Sequence, residues 1–261
     1  NIRYTSFYRA GAMVMDTSSK PGIIAVTGDN GSYYLNYFKL SSGLSNIESS
    51  KRILLKDLAS NEAITALDVI NMVDIKYSSL LVAISCQFKQ NTGMLFVVMD
   101  YNMVANSSFF IKTKDNWFRN ILHSFGPYTY TTLKVPNEEN LKLLKYDSQQ
   151  YKTEMLSFNF KADISNITSD SPLNDTLLIL SGYAFKTIAL NVDSSGNLSP
   201  FGTCKDFKLS PYSGTVEKIN LGQAIEDNSV TLQSDNVSGT YSKMNLEDIT
   251  NNISSSVSCM K

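Results

Sequence analysis

Groups able to act as nucleophile, base or soft metal ligand are scarce in this chain, and the scarcity bounds its chemistry. His123 is the only histidine, and Cys86, Cys204 and Cys259 are the only cysteines. No two cysteines stand in CxxC spacing, so a structural zinc site of standard composition is not expected. A Ser/His or Cys/His pair would have to use His123. That residue lies in Ile121-Leu122-His123-Ser124-Phe125, an apolar setting that reads as a hydrogen-bonded structural histidine. Cys86 reads as a small core residue. Cys204 and Cys259 are able to form a disulfide in an exported chain, fastening its C-terminal end; the odd total leaves one thiol unpaired. There is no GxxxxGK[ST] phosphate loop and no GxGxxG, so no nucleotide cofactor is expected.

Carboxylates and asparagines carry what chemistry remains. Glycoside hydrolysis needs only two carboxyl groups, one protonated and one ionised. Asp16, Asp68 and Asp163 are the candidates for that role that the repeat architecture described below implies, each with a plainer reading as a strand-end or turn residue. Asn191, Asp193, Ser195 and Gly196 follow the first half of an EF-hand calcium loop. Its twelfth position is Gly202, where a bidentate Glu belongs, so the segment reads as a hairpin turn. Seven Asn-x-Ser/Thr sequons occur, at Asn30, Asn106, Asn166, Asn174, Asn197, Asn236 and Asn252. Asn30, Asn106, Asn174, Asn236 and Asn252 fall in expected connections where a glycan is readily carried. Pro200 after the Asn197 sequon makes that site the poorest acceptor.

These groups need a scaffold, and the scaffold is written as a repeat. Leu177-Leu178-Ile179-Leu180-Ser181-Gly182 is followed by Thr187 to Val192 and the turn Asp193-Ser194-Ser195-Gly196-Asn197. Ile23-Ile24-Ala25-Val26-Thr27-Gly28 is followed in the same way by Tyr33 to Leu40. Weaker copies run through Leu80 to Asp100, Tyr128 to Asp147 and Ser229 to Glu247. Leu40, Asp100, Asp147, Asp193 and Glu247 then share one column, at a period of roughly 45 to 60 residues. Each unit has room for a further run on either side, giving four antiparallel strands. The chain therefore resembles β-propeller repeat proteins over nearly all of its length. The resemblance implies an all-β fold of about five four-stranded blades, in units of roughly 8–60, 61–114, 115–160, 161–210 and 211–261.

Two stretches also fit a helix: Asn61 through Val69, and Pro136 through Tyr151. Strands are expected in both because they fall in phase with the repeat. Asp29-Asn30-Gly31-Ser32 carries the Asn-Gly pair of a type I′ hairpin. Asn1 to Phe7 alternates in a way that would let it supply the outer strand of the last blade and close the ring.

Composition agrees with one folded domain. Apolar residues make up 43% of the chain, enough for a core and too much for disorder. No apolar run approaches the roughly 18 residues of a membrane helix. With 23 basic and 24 acidic side chains there is no general field to attract nucleic acid. The chain begins at Asn1 rather than at methionine, which reads as a processed product or a piece of a longer protein. These features together predict a non-catalytic module, extracellular or on a cell surface, binding a protein or glycan through blade loops or edges. The alternative is a carboxylate-dependent glycoside hydrolase of five-bladed propeller type. A larger assembly or homo-oligomer is expected if the ring does not close within one chain.

Overall fold

The computed structural model describes residues 9–15, 21–29, 31–42, 47–59, 62, 64–75, 79–114, 123–161, 164–169, 176–181, 186–200, 208–214, 216–219 and 225–227. For 9–15, 29, 66–75, 123, 160–161, 164–169, 176–181, 186–189 and 225–227 only the backbone is described.

The fold is all-β and antiparallel. The first sheet is the meander β1 (Arg9–Met15), β2 (Pro21–Asp29), β3 (Ser32–Leu40) and β4 (Ile47–Leu54). The second is β5 (Ile64–Ile75), β6 (Ser79–Phe88), β7 (Asn91–Asp100) and β8 (Ala105–Lys112). The third is β9 (His123–Phe125), β10 (Tyr128–Leu133), β11 (Asn140–Asp147) and β12 (Lys152–Lys161). The fourth is β13 (Ile164–Ser169), β14 (Thr176–Ser181), β15 (Lys186–Val192) and β16 (Leu198–Pro200). The helical alternatives are excluded, since residues from Ile64 onward form β5 and Leu141 to Lys145 lie within β11. One 3-10 turn, Asp57–Ala59, joins the first sheet to the second and buries Leu58 and Ala59.

The sheets pack face to face in chain order. Ile24, Val26, Leu35 and Ile53 of the first share a core with Leu80, Val82, Ile84, Leu95 and Val97 of the second. The opposite face of the second sheet, with Leu81, Ala83, Phe96, Val98 and Phe109, packs on Leu133, Leu144 and Tyr146 of the third. Tyr130, Leu141, Leu143 and Phe158 then meet Leu190 and Val192 of the fourth. This explains why Leu80 to Ile84 and Met94 to Met99 read as unbroken apolar runs. Successive side chains point to opposite faces, and here both faces are covered. An aromatic stack crosses the second interface, with Phe96 on Phe109 at 4.9 Å and Phe109 on Tyr146 at 6.0 Å. Each large side chain so buried contributes about 1.5 to 3 kcal/mol.

Turn chemistry sets the registers. Asp29 pairs with Ser32 across a two-residue loop in which Gly31 has φ +79°, the positive value a type I′ hairpin demands. The β6–β7 hairpin has the same length without a glycine, with Lys89 and Gln90 at φ +47° and +64°.

The C-terminal part departs from the repeat. Leu209 falls within the fourth expected unit, 161–210, but β17 (Leu209–Pro211) pairs with β12 of the third sheet. Next, β18 (Glu217–Ile219) pairs with β8 of the second sheet, and β19 (Ile225–Asp227) pairs with β4 of the first. The chain thus returns along three sheets in reverse order, adding one short strand to each. Among the described residues there are four meander sheets, and Glu217–Ile219 and Ile225–Asp227, which fall in the expected fifth unit, serve instead as edge strands of the second and first sheets. The reason is hydrogen bonding: the outer edges of β4, β8 and β12 offer unpaired backbone groups that three-residue strands can satisfy at once. The expected runs at 229–233 and 241–247, and the closing strand at 1–7, lie outside the described residues.

Candidate interaction surface at the hairpin tips

The aspartates of the repeat column close the turn between the third and fourth strands. The Asp100 Oδ1 accepts hydrogen bonds from the backbone N–H groups of Asn102 (2.8 Å) and Val104 (2.9 Å). Its own N–H donates to Val104 O, its carbonyl accepts from Met103 N, and Met103 has φ +66°. Asp193 repeats every part of this. Its Oδ1 accepts from Ser195 N (2.8 Å) and Asn197 N (2.7 Å), its N–H donates to Asn197 O, and Gly196 has φ +69°. Asp147 closes a loop one residue longer, accepting from Gln149 N (2.8 Å) and Gln150 N (3.1 Å), with Tyr151 at φ +51°. A short carboxylate that reaches the backbone two residues on suits this geometry, and the sequence pays for it with one Asp per turn.

The capped tips are braced by the sheet before them. Tyr130 donates its hydroxyl to Gly196 O at 2.8 Å, and Lys145 donates to Ser195 O at 3.3 Å. A Cβ on Gly196 would come within 2.5 Å of the Tyr128 ring, whose face Lys145 also covers at 4.6 Å. In the same manner Lys51 of the first sheet donates to Asn102 Oδ1 at 3.2 Å, and Tyr101 meets Tyr37 edge-on at 6.0 Å. The Asp147 loop is tied to its own sheet, where both Ser148 N and Ser148 Oγ donate to Pro127 O at 2.9 Å. Tyr128 pairs with Asp147 and touches the Asp193 loop, so the third and fourth sheets present their tips at one end. Tyr151 crowns this end at 57% exposure, the one large exposed hydrophobic among the described residues.

These carboxylates are occupied by their own turns. Hydrogen bonds from the Asn197 backbone and side chain hold Asp193 below the usual carboxylate range. The segment is a hairpin turn closed by its own carboxylate. A lowered folded value means that the stabilisation is full above the ordinary carboxylate pKa and is lost as pH falls through the lowered one. Thermal melting of the wild type should therefore fall faster than that of Asp193→Asn on acidification below pH 4. Parallel pH profiles of the two would contradict the turn assignment.

The other expected residues are placed unevenly. Among the described residues no three His, Cys, Asp or Glu side chains cluster as a metal site would require. The backbone of Asp68 pairs with Ser85 in β5, and that of His123 pairs with Tyr130 in β9. Asn106 was expected in a connection and lies instead within β8, exposed. Asp16, Asp163, Asn30, Asn174, Asn236, Asn252, Cys204 and Cys259 lie outside the described residues. Cys86 is buried in the first interface, and desolvation pushes its thiol up to about 12. Alkylation of the native chain at pH 8, read by peptide mass, should leave Cys86 unmodified until denaturant is added. Modification at the rate of a free thiol would show that the interface is open.

One buried group gave no signal in the sequence. Lys142, 1% exposed, donates to Ser157 Oγ at 3.0 Å and Glu138 Oε2 at 3.2 Å, and sits 4.4 Å over the Tyr212 ring. Tyr212 follows β17, and its N–H donates to Met155 O, so this cation pins the returning chain to the third sheet. At the next step Lys89 and Glu217 form an exposed ion pair at 2.8 Å beside β18.

Comparison of the chain with protein-family models, with curated proteins and with solved structures found no match.

Proposed function

We propose that this chain is a non-catalytic interaction module, exported or displayed on a cell surface, that binds a protein or glycan through its hairpin tips and edges. Its sheets act as propeller-type blades: the first strands follow one another in a row, β1 beside β5, β5 beside β9 and β9 beside β13. The observation that carries the reading is the braced tip surface ending in exposed Tyr151. Rigid loops lose little freedom on binding, which lowers the cost of association. An exposed tyrosine offers large amphipathic contact area with few rotatable bonds. The nearby Asp147 and Asp193 carboxylates serve the loops and leave recognition, rather than acid catalysis, as the role of this end.

The test is binding of the labelled chain to arrays of extracellular proteins and glycans, with Tyr151→Ser alongside. Loss of about tenfold in affinity, or about 1.4 kcal/mol, is expected with unchanged melting. Equal binding by both would remove the tips from the account. Release of sugar from a glycoside, abolished in Asp16→Asn or Asp68→Asn, would replace the module with a hydrolase.

A further inference from the structure

We infer that Asn106 is an N-glycan attachment site, presented by a β-bulge; the inference rests on the exported reading above. The second sheet is buried on both faces, and a regular pleat would turn position 106 toward the core shared with the first sheet. The register prevents this. Val98 pairs with Ser107 and Met99 with Ala105, so Asn106 is the extra residue between them. The bulge lets Ala105 take the core position, where it is 2% exposed, and turns Asn106 outward. Ser108, the third residue of the sequon, is fixed by donating its hydroxyl to Leu58 O at 2.9 Å. The covering strand β18 makes its last pair at Ile219 with Ser108, two residues short of Asn106.

Asn197 provides the contrast within the same molecule. It too is exposed, but its Nδ2 donates to Asp193 Oδ2 at 3.0 Å inside the capped turn. In the reaction inferred for Asn106, Nδ2 bonds to the anomeric carbon of an oligosaccharide carried on a lipid pyrophosphate. The bond from that carbon to the pyrophosphate breaks, the lipid pyrophosphate leaves, and one Nδ2 proton passes to a base of the transferase.

The experiment is secretion of the full chain from eukaryotic cells, followed by enzymatic glycan release in heavy-oxygen water and peptide mapping. Asn106 should be recovered as labelled aspartate in most chains and Asn197 in few. Asn106→Gln should lower the mass of the secreted chain by one glycan with no loss of cooperative melting. A secreted, folded chain in which Asn106 is unlabelled overturns the inference, whatever the other sequons carry. Labelled Asn106 in a chain that binds no extracellular protein or glycan would instead sink only the functional reading.

Discussion

Val97→Asp should abolish cooperative folding at neutral pH. Val97 is 0% exposed, on β7, in the core between the first and second sheets. Its neighbours there include Leu80, Val82, Ile84 and Leu95, none able to pair with a carboxylate. An unpaired charge in such a site costs several kcal/mol, against a total stability of about 5 to 15 kcal/mol for an ordinary domain. The neutral acid is cheaper to bury, so acidification toward pH 4 should restore part of the structure. Val97→Ala, which only removes two methyl groups, should cost about 1 to 3 kcal/mol and keep a single transition. Circular dichroism melts decide the matter. A Val97→Asp chain melting with the wild type would mean that the two sheets do not share this interface.

Gly93→Val should be the next most damaging change, and its sign is the informative part. Valine ordinarily favours a strand and glycine weakens one, so propensity alone predicts a gain. Here a Cβ would fall on the carbonyl oxygen of Ile111 and on the Phe110 ring. Gly93 pairs with Cys86 on one side and Lys112 on the other, so the ladder has little room to open. A loss of about 2 to 4 kcal/mol is expected in denaturant titrations, with Gly93→Ala between it and the wild type. Wild-type stability in Gly93→Val would contradict the close approach of β7 and β8.

What could be read from the sequence was local. Asp100, Asp147 and Asp193 stood in one column because each carboxylate caps its own turn, so the repeat was visible without knowing any neighbour. The Leu80 to Ile84 run announced a strand because both of its faces are buried. The returning strands were illegible for the opposite reason. Leu209–Pro211 and Glu217–Ile219 are three residues long, carry no period, and take partners set by the free edges of distant sheets. The sequence count therefore assigned 217–227 to a fifth unit. Lys142 sits in Leu141-Lys142-Leu143-Leu144, and its burial there is explained by Glu138 and Ser157 together with the Tyr212 ring that the returning chain brings over it. The bulge at Asn106 was likewise hidden, since it depends on a register shift against β7. The glycine at Gly93 did carry a general signal, close backbone approach within a strand, that composition and periodicity passed over.

The sheets and the chain returning along them form one body with its hairpin tips held in place. Solution scattering combined with light-scattering mass checks this packing. A single particle with the mass of one chain, 29.0 kDa of polypeptide plus any glycan, is expected, with a radius of gyration of about 18 Å, the value for one compact domain of this length. An elongated particle of the same mass would show that the sheets do not pack on one another. A stable multiple of that mass would show that the recognition surface is built between copies rather than within one chain.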